Sequence, residues 1–161
     1  MTISAGDRVP SATFKVKTDD GLADMTTDDV FAGKKVVVFA VPGAFTPTCH
    51  ALHVPNFLGS LDAFAEKGVD TVACISVNDA FVLDEWAKKT AASGKITFLA
   101  DGNAEFTKAA GLDFDASGNG LGIRSKRYAM LVDDGVVKVL NIEEVPKTVD
   151  ASSAENILAA L

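Results

Sequence analysis

The run Lys35-Val36-Val37-Val38-Phe39-Ala40-Val41 is the most continuously apolar stretch of the chain, and it shows no alternation. Unbroken β-branched runs of this length characterise central strands covered on both faces. Asp70 to Val77 has the same character and predicts a second buried strand, and Ile96-Thr97-Phe98-Leu99-Ala100 predicts a third. Ala12-Thr13-Phe14-Lys15-Val16 alternates weakly, as a half-exposed strand does. Between these segments the period lengthens. Thr26 to Phe31 begins with N-cap chemistry and is closed by Gly33, predicting a short helix. Pro47 through Lys67 reads as helix with a kink at Pro55, because Leu58, Leu61 and Phe64-Ala65 fall at helical spacing and Gly68 is a natural stop. Asn78 or Asp79 caps a helix running to about Thr90, with Phe81, Val82, Leu83 and Trp86 as core candidates. A short helix over 103–110 ends at Gly111. Residues 112–123 carry Gly118, Gly120 and Gly122 and read as loop. Residues 126–132 and 136–142 flank Asp133-Asp134-Gly135 as a hairpin. Ser152-x-x-Glu155 is a capping box ahead of a terminal helix bearing Ile157, Leu158 and Leu161.

This order predicts an α/β fold, a mixed β-sheet flanked by helices on both faces. The sheet is parallel where helices intervene and antiparallel at the hairpin. At 161 residues, 1–161 is most simply a single domain with a real core. A formal charge of −7 argues against nucleic acid as the main partner, since that affinity rests on Lys and Arg neutralising phosphates. The longest apolar run falls well short of the roughly 20 residues needed to cross a bilayer. Met1 to Asp7 lacks a basic patch followed by an apolar core, so neither a membrane association nor a secretory signal is expected. Two cysteines are too few for a disulfide scaffold, and a cytoplasmic, reducing compartment is the expectation.

The chemistry concentrates in Pro42-Gly43-Ala44-Phe45-Thr46-Pro47-Thr48-Cys49, where a buried strand turns into a helix. Unpaired N–H groups and the positive end of the helix dipole meet at such a turn. A thiol there is expected to ionise more easily than a free one, and the thiolate is the reactive form. Against that stands the ordinary fate of a lone cysteine, a buried apolar filler. His53 lies four residues after Cys49 and shares a helical face with it, whereas His50 points elsewhere. Cys49–His53 resembles a nucleophile and base, or half a metal site. With two cysteines, two histidines and no Cys-x-x-Cys or His-x-x-x-His spacing, no metal is expected. A histidine that hydrogen-bonds nearby structure is the preferred reading. Asp113, Asp115, Asp133 and Asp134 form no calcium-loop pattern, and Gly118-Asn119-Gly120 does not open a helix as a dinucleotide fingerprint would. No cofactor is expected. Phe45 and Phe81 are candidates for core or for dimer contacts.

Pro42-x-x-x-Thr46-x-x-Cys49 matches the active-site motif of the peroxiredoxins. The longer string Val41 to Cys49, with His53-Val54-Pro55, resembles the type II, peroxiredoxin-5-like subgroup. Further matches fall at Cys74-Ile75-Ser76-Val77-Asn78-Asp79 and at Gly122 to Ala129. The resemblance implies a thioredoxin-like fold and a thiol peroxidase that reduces hydrogen peroxide and organic hydroperoxides. Glutathione with glutaredoxin, or thioredoxin, then regenerates the cysteine. It also implies a homodimer. In this reading Cys49 attacks the peroxide. Thr46, Gly43, the backbone at Thr48 and His53 hold the substrate, Pro42 is a lid over the sulfur, and His53 is a site neighbour rather than the central base.

The resemblance puts the cationic partner of Cys49 on Arg127. Alternation supports this by placing residues 125, 127, 129 and 131 on one inward face. Arg124 is expected to buttress it. Cys74 is either a small filler of a buried strand or a resolving thiol that attacks the Cys49 sulfenic acid. Two other classes stay open: a thioredoxin-like disulfide oxidoreductase, against which the missing second cysteine of a Cys-x-x-Cys pair speaks, and a non-enzymatic redox-dependent chaperone or binder.

Overall fold

The computed structural model describes residues 1–145 and 147–161. Its strands are β1 (Thr13–Thr18), β2 (Gly21–Thr26), β3 (Lys35–Val41), β4 (Thr71–Ser76), β5 (Thr97–Ala100), β6 (Asp113–Asp115), β7 (Ile123–Ser125), β8 (Tyr128–Asp133) and β9 (Val136–Ile142). Its helices are α1 (Thr27–Phe31), α2 (Val54–Leu58), α3 (Leu61–Glu66), α4 (Ala80–Lys89), α5 (Glu105–Ala109) and α6 (Ala154–Ala159). Seven strands form one sheet in the order β2-β1-β5-β4-β3-β8-β9. The β3–β4 and β4–β5 pairs are parallel, and the other pairs are antiparallel.

The run of valines in β3 is explained by this order. β3 has a hydrogen-bonded neighbour on each side and helices on each face, so both alternate sets are buried. Val37, Phe39 and Val41 join Cys74, Ala129 and Leu131 beneath α2, α3, α4 and α6. Val36, Val38 and Ala40 join Ala73, Ile75, Tyr128 and Met130 against α1, α5 and Phe14. Fully burying one such side chain stabilises by about 1.5–3 kcal/mol, so the two layers dominate the folding energy. β8 and β9 are joined through Asp134 and Gly135, both at positive φ (48° and 79°), as a tight hairpin turn requires.

Three expectations are corrected, and one strand is added to them. A strand, β2, follows β1 through a turn at 19–20 and lies at the sheet edge, where it alternates between half-buried and exposed positions. The segment 112–123 is not all loop, because β6 pairs with β7 in a small second sheet. The terminal helix is capped by Ser153, whose hydroxyl accepts from Asn156 N, rather than by Ser152. Phe81 is exposed, and α4 buries Ala80, Leu83, Trp86 and Ala87 instead. Those four positions recur at helical spacing along one stripe, and Phe81 lies off it.

The long helix expected from Pro47 to Lys67 is also not one regular helix. Pro47 and Thr48 are already helical, Cys49–His53 form a π-helical turn in which Val54 N donates to Cys49 O, and the helix breaks at Gly59-Ser60. The wide turn stands immediately before Pro55. That ring has no N–H and would press on the carbonyl one turn back, and an added residue in the turn relieves the conflict.

Candidate active site

Cys49 lies where the end of β3 passes through a turn into the helix, and its side chain is fully buried. Arg127 reaches it from the start of β8. Its Nη2 donates to the Cys49 sulfur at 3.0 Å and its Nη1 donates to His53 Nδ1 at 2.9 Å. Arg127 is itself only 3% exposed, so this is a buried cation, and such a group stays folded only with partners that accept its donors. The alternation read from the sequence therefore places the guanidinium on the Cys49 side of the sheet, together with Ala129 and Leu131.

Arginine can only donate, so the His53 Nδ1 facing it is a lone pair and the ring proton is on Nε2. That Nε2–H donates to the Ser152 carbonyl at 3.1 Å. Burial, reinforced by the Arg127 charge, pushes the His53 pKa down to about 3, so the ring is neutral. Phe39 and Phe57 enclose it, with ring centroids 4.9 and 5.4 Å away. Both ring nitrogens of His53 are thus occupied, one by Arg127 and one by the Ser152 carbonyl, which leaves neither for the substrate binding expected of it.

The histidine carries a pH dependence of stability. A site that refuses a proton the unfolded chain accepts loses stability as pH falls below the ordinary value of 6.5. The loss continues down to about pH 3, and between pH 6.5 and 4.5 it amounts to about 2 kcal/mol. Denaturant midpoints at those two pH values are expected to differ accordingly, and His53→Gln should flatten the difference. An unchanged midpoint in the parent protein would contradict a neutral buried His53.

The turn is held by short bonds. The Thr46 hydroxyl donates to the Gly43 carbonyl at 2.6 Å, which leaves the hydroxyl lone pairs to accept from a substrate. A Cβ at Gly43 would stand 2.7 Å from Arg124 Nη1, so the residue is there for close approach. Arg124 Nη1 donates to the Pro42 carbonyl at 3.2 Å, and Nε donates to the Leu121 carbonyl at 2.9 Å. Arg124 therefore braces the turn and not Arg127. Ala44 N donates to Asn78 Oδ1 at 3.0 Å, while the neighbouring Asp79 caps α4. Phe45 sits at φ 64°, a backbone region costly for a residue with a side chain, and stacks on His50, which accepts from Trp86 Nε1 at 3.0 Å. The Thr48 hydroxyl donates outward to the Lys147 carbonyl at 3.3 Å. Among the first four residues of a helix the N–H groups lack intrahelical partners, and Thr48 and Cys49 belong to that set.

Cys74 is a free thiol in the middle of β4, fully buried on the same sheet face as Cys49. Burial, together with the nearby Cys49, pushes the Cys74 thiol well up. A thiol held neutral is a poor nucleophile. No cluster of metal-ligating side chains occurs among the described residues. Likewise, no helix among them is long and apolar enough to cross a membrane. The structure brings Arg127 to Cys49 and Thr46 to the same turn, and it adds three groups that the sequence does not point to, Asn78 as an anchor of the turn, the Ser152 carbonyl and Glu143. All three act through contacts between segments distant in sequence, and no local pattern announces them.

The redoxin family model matches residues 4–158. The chain is 48% identical to the chloroplastic peroxiredoxin-2E of Arabidopsis thaliana, over 99% of this chain and 70% of that protein. It is 44% identical to peroxiredoxin-2D of the same plant, over 99% of this chain and 98% of the relative. Among solved structures, reduced Prx3 in complex with hydrogen peroxide from Vibrio vulnificus superposes with a TM-score of 0.93 at 50% identity, covering 99% of each chain. The fold is accordingly the thioredoxin-like one of those relatives.

Proposed function

Because the chain belongs to the redoxin family, and within it to the peroxiredoxins, and is a thiol peroxidase, we propose that Cys49 is the sulfur that meets the peroxide. The observation that carries this reading is the 3.0 Å approach of the Arg127 guanidinium to that sulfur in a closed, water-poor setting. The guanidinium there is a fixed donor held beside the reacting atom. The sulfur lone pair attacks one peroxide oxygen and the O–O bond breaks. The departing oxygen leaves with the electron pair and takes a proton to become water or an alcohol, while Cys49 becomes the sulfenic acid. Arg127 and the helix-start N–H groups of Thr48 and Cys49 face the developing negative charge, and pre-oriented donors of this kind stabilise such a charge strongly. Thr46 accepts from the peroxide O–H and sets the line of attack. Gly43 and Pro42 shape the turn over the sulfur.

Both hydrogen peroxide and organic hydroperoxides carry the O–O group this site addresses, and they are the proposed substrates. For regeneration, the buried neutral Cys74 favours an outside thiol. Such a thiol attacks the sulfenic acid sulfur and releases water. A second thiol then frees Cys49 as the mixed disulfide becomes an ordinary one. Glutathione with glutaredoxin, or thioredoxin, supplies these equivalents in our reading, in a reducing compartment such as the cytoplasm. Phe45, Leu52 and Phe81 are about half exposed, at 46%, 53% and 57%. Apolar side chains left uncovered in this way support a homodimer.

Native mass spectrometry after one equivalent of hydrogen peroxide tests the whole reading. The expected product is a dimer whose Cys49 carries one added oxygen, and with glutathione present a glutathione adduct on Cys49. Loss of two protons without any adduct would transfer regeneration to Cys74. Unmodified Cys49 beside consumed peroxide would remove the mechanism.

A further inference from the structure

The segment after β9 is gathered onto one carboxylate. Glu143 Oε1 accepts from Thr148 Oγ1 at 3.0 Å and from Ala151 N at 3.3 Å. Its Oε2 accepts from Asp150 N at 3.0 Å, Ser152 N at 2.9 Å and Ser152 Oγ at 2.7 Å. The Glu143 backbone N–H meanwhile donates to the Arg127 carbonyl at 2.9 Å. A single residue is therefore tied to the strand that carries the arginine and to the segment that ends at Ser152. Burial would raise the Glu143 carboxyl, but these hydrogen bonds outweigh it and hold the group at about 2, so the ionised acceptor is the working form.

We propose that Glu143 is a positioning residue for the peroxide step, acting through Ser152 and His53 on the Arg127 guanidinium. The proposal rests on the reading that Arg127 holds the Cys49 sulfur. The order of contacts is continuous: Glu143 carboxylate, Ser152 main chain, Ser152 carbonyl to His53 Nε2–H, His53 Nδ1 to Arg127 Nη1, Arg127 Nη2 to the Cys49 sulfur. Its leverage lies in the position of the histidine ring. The Ser152 carbonyl tethers Nε2–H, and that tether sets where the Nδ1 lone pair meets the arginine. If that carbonyl turns away, the ring loses its tether, and the guanidinium bonded to it shifts from the sulfur. A misplacement of about 1 Å in a catalytic group costs as much as about 10²-fold in rate. Glu143 itself touches neither sulfur nor substrate, and its effect is transmitted entirely by that chain of bonds.

The test is a double-substitution cycle read by single-turnover stopped flow with hydrogen peroxide. Glu143→Ala is expected to lower the second-order rate constant for Cys49 oxidation by about 10- to 30-fold. Glu143→Gln should recover most of it, because the amide oxygen can still accept from Asp150 and Ser152. In an Arg127→Gln background, Glu143→Ala should change the rate by less than about twofold, because the group it positions is gone. A general loosening of the fold would instead lower the rate by the same factor in both backgrounds, and that result overturns the proposal. So does an unchanged rate in Glu143→Ala alone. Should Glu143→Ala fail to fold, Glu143→Asp decides. Its carboxylate is drawn back by one methylene, and a rate equal to the parent's counts against the proposal. A Cys49→Ser control separates the levels. If that variant still consumes peroxide, the thiol reading and this inference fall together, and if it is inert, the cycle judges the inference alone.

Discussion

Cys49→Ser is expected to bring peroxide consumption down to the rate of buffer alone. The substitution changes one atom in a fully buried position, so the fold around it is kept, and thermal unfolding should confirm that. What is lost is the nucleophile. A serine hydroxyl carries no charge near neutral pH, and Arg127, at 3.0 Å from the sulfur, can only donate and takes no proton from oxygen. His53 already spends its lone pair on Arg127 Nη1 and its proton on the Ser152 carbonyl. The variant therefore has neither an ionised nucleophile nor a base to make one. Continuous peroxide loss in the presence of excess thiol is the measurement. Activity above background in this variant would mean that the reacting atom lies elsewhere.

Arg127→Gln gives the second large effect, a loss of about 10²- to 10³-fold in the rate constant for Cys49 oxidation, on the scale of removing one oyxanion-facing donor. The guanidinium has two jobs that a neutral amide cannot share. One arm meets His53 and the other meets sulfur, and in our reading the positive charge faces the departing oxygen. Lysine restores charge without the planar fork, so Arg127→Lys should fall between the two. The readout is the stopped-flow oxidation rate, with the denaturant midpoint measured in parallel, because His53 loses a partner. A rate within about threefold of the parent in the folded Gln variant would show that the arginine is structural only.

The turn from Pro42 to Cys49 is held from several sides around a buried sulfur. Gly43 lets Arg124 come within contact of the turn, Asn78 takes the Ala44 N–H, and Phe45 is held in a strained backbone region with its ring on His50. Local strain of that kind costs about 1–3 kcal/mol and persists only where the surroundings over-determine it. Here the surroundings are the link from β4 to α4, which carries Asn78, and β7, which carries Arg124, both distant from the turn in the chain.

Several features could be read directly from residue order. The valine run of β3 and the apolar run of β4 announced central strands, since burial on both faces erases alternation. Asp134-Gly135 announced the β8–β9 turn, since only residues that tolerate positive φ can make it. The strand-to-helix turn announced Cys49, and alternation from Ala129 and Leu131 back to Arg127 announced an inward arginine. Each of these is a local rule, satisfied by neighbours within a few positions. β2 escaped because it is a six-residue edge strand with one half-exposed face, and the Asp19-Asp20-Gly21 signal before it has the same character as the one at Asp134-Gly135. Phe81 escaped because hydrophobicity outvoted the stripe on which Leu83 and Trp86 lie.

What the chain determined alone was therefore the alternation of strands and helices, the position of the thiol and the inward side of the arginine, because those follow from periodicity and backbone stereochemistry. What only the assembled molecule decided was who holds whom. The Ser152 carbonyl stands 99 positions from His53, and Arg127 stands 78 from Cys49. Hydrogen bonds of such separation have no local signature. They exist because the sheet places β8 beside β3, and because α2 and α6 cover the same face of it.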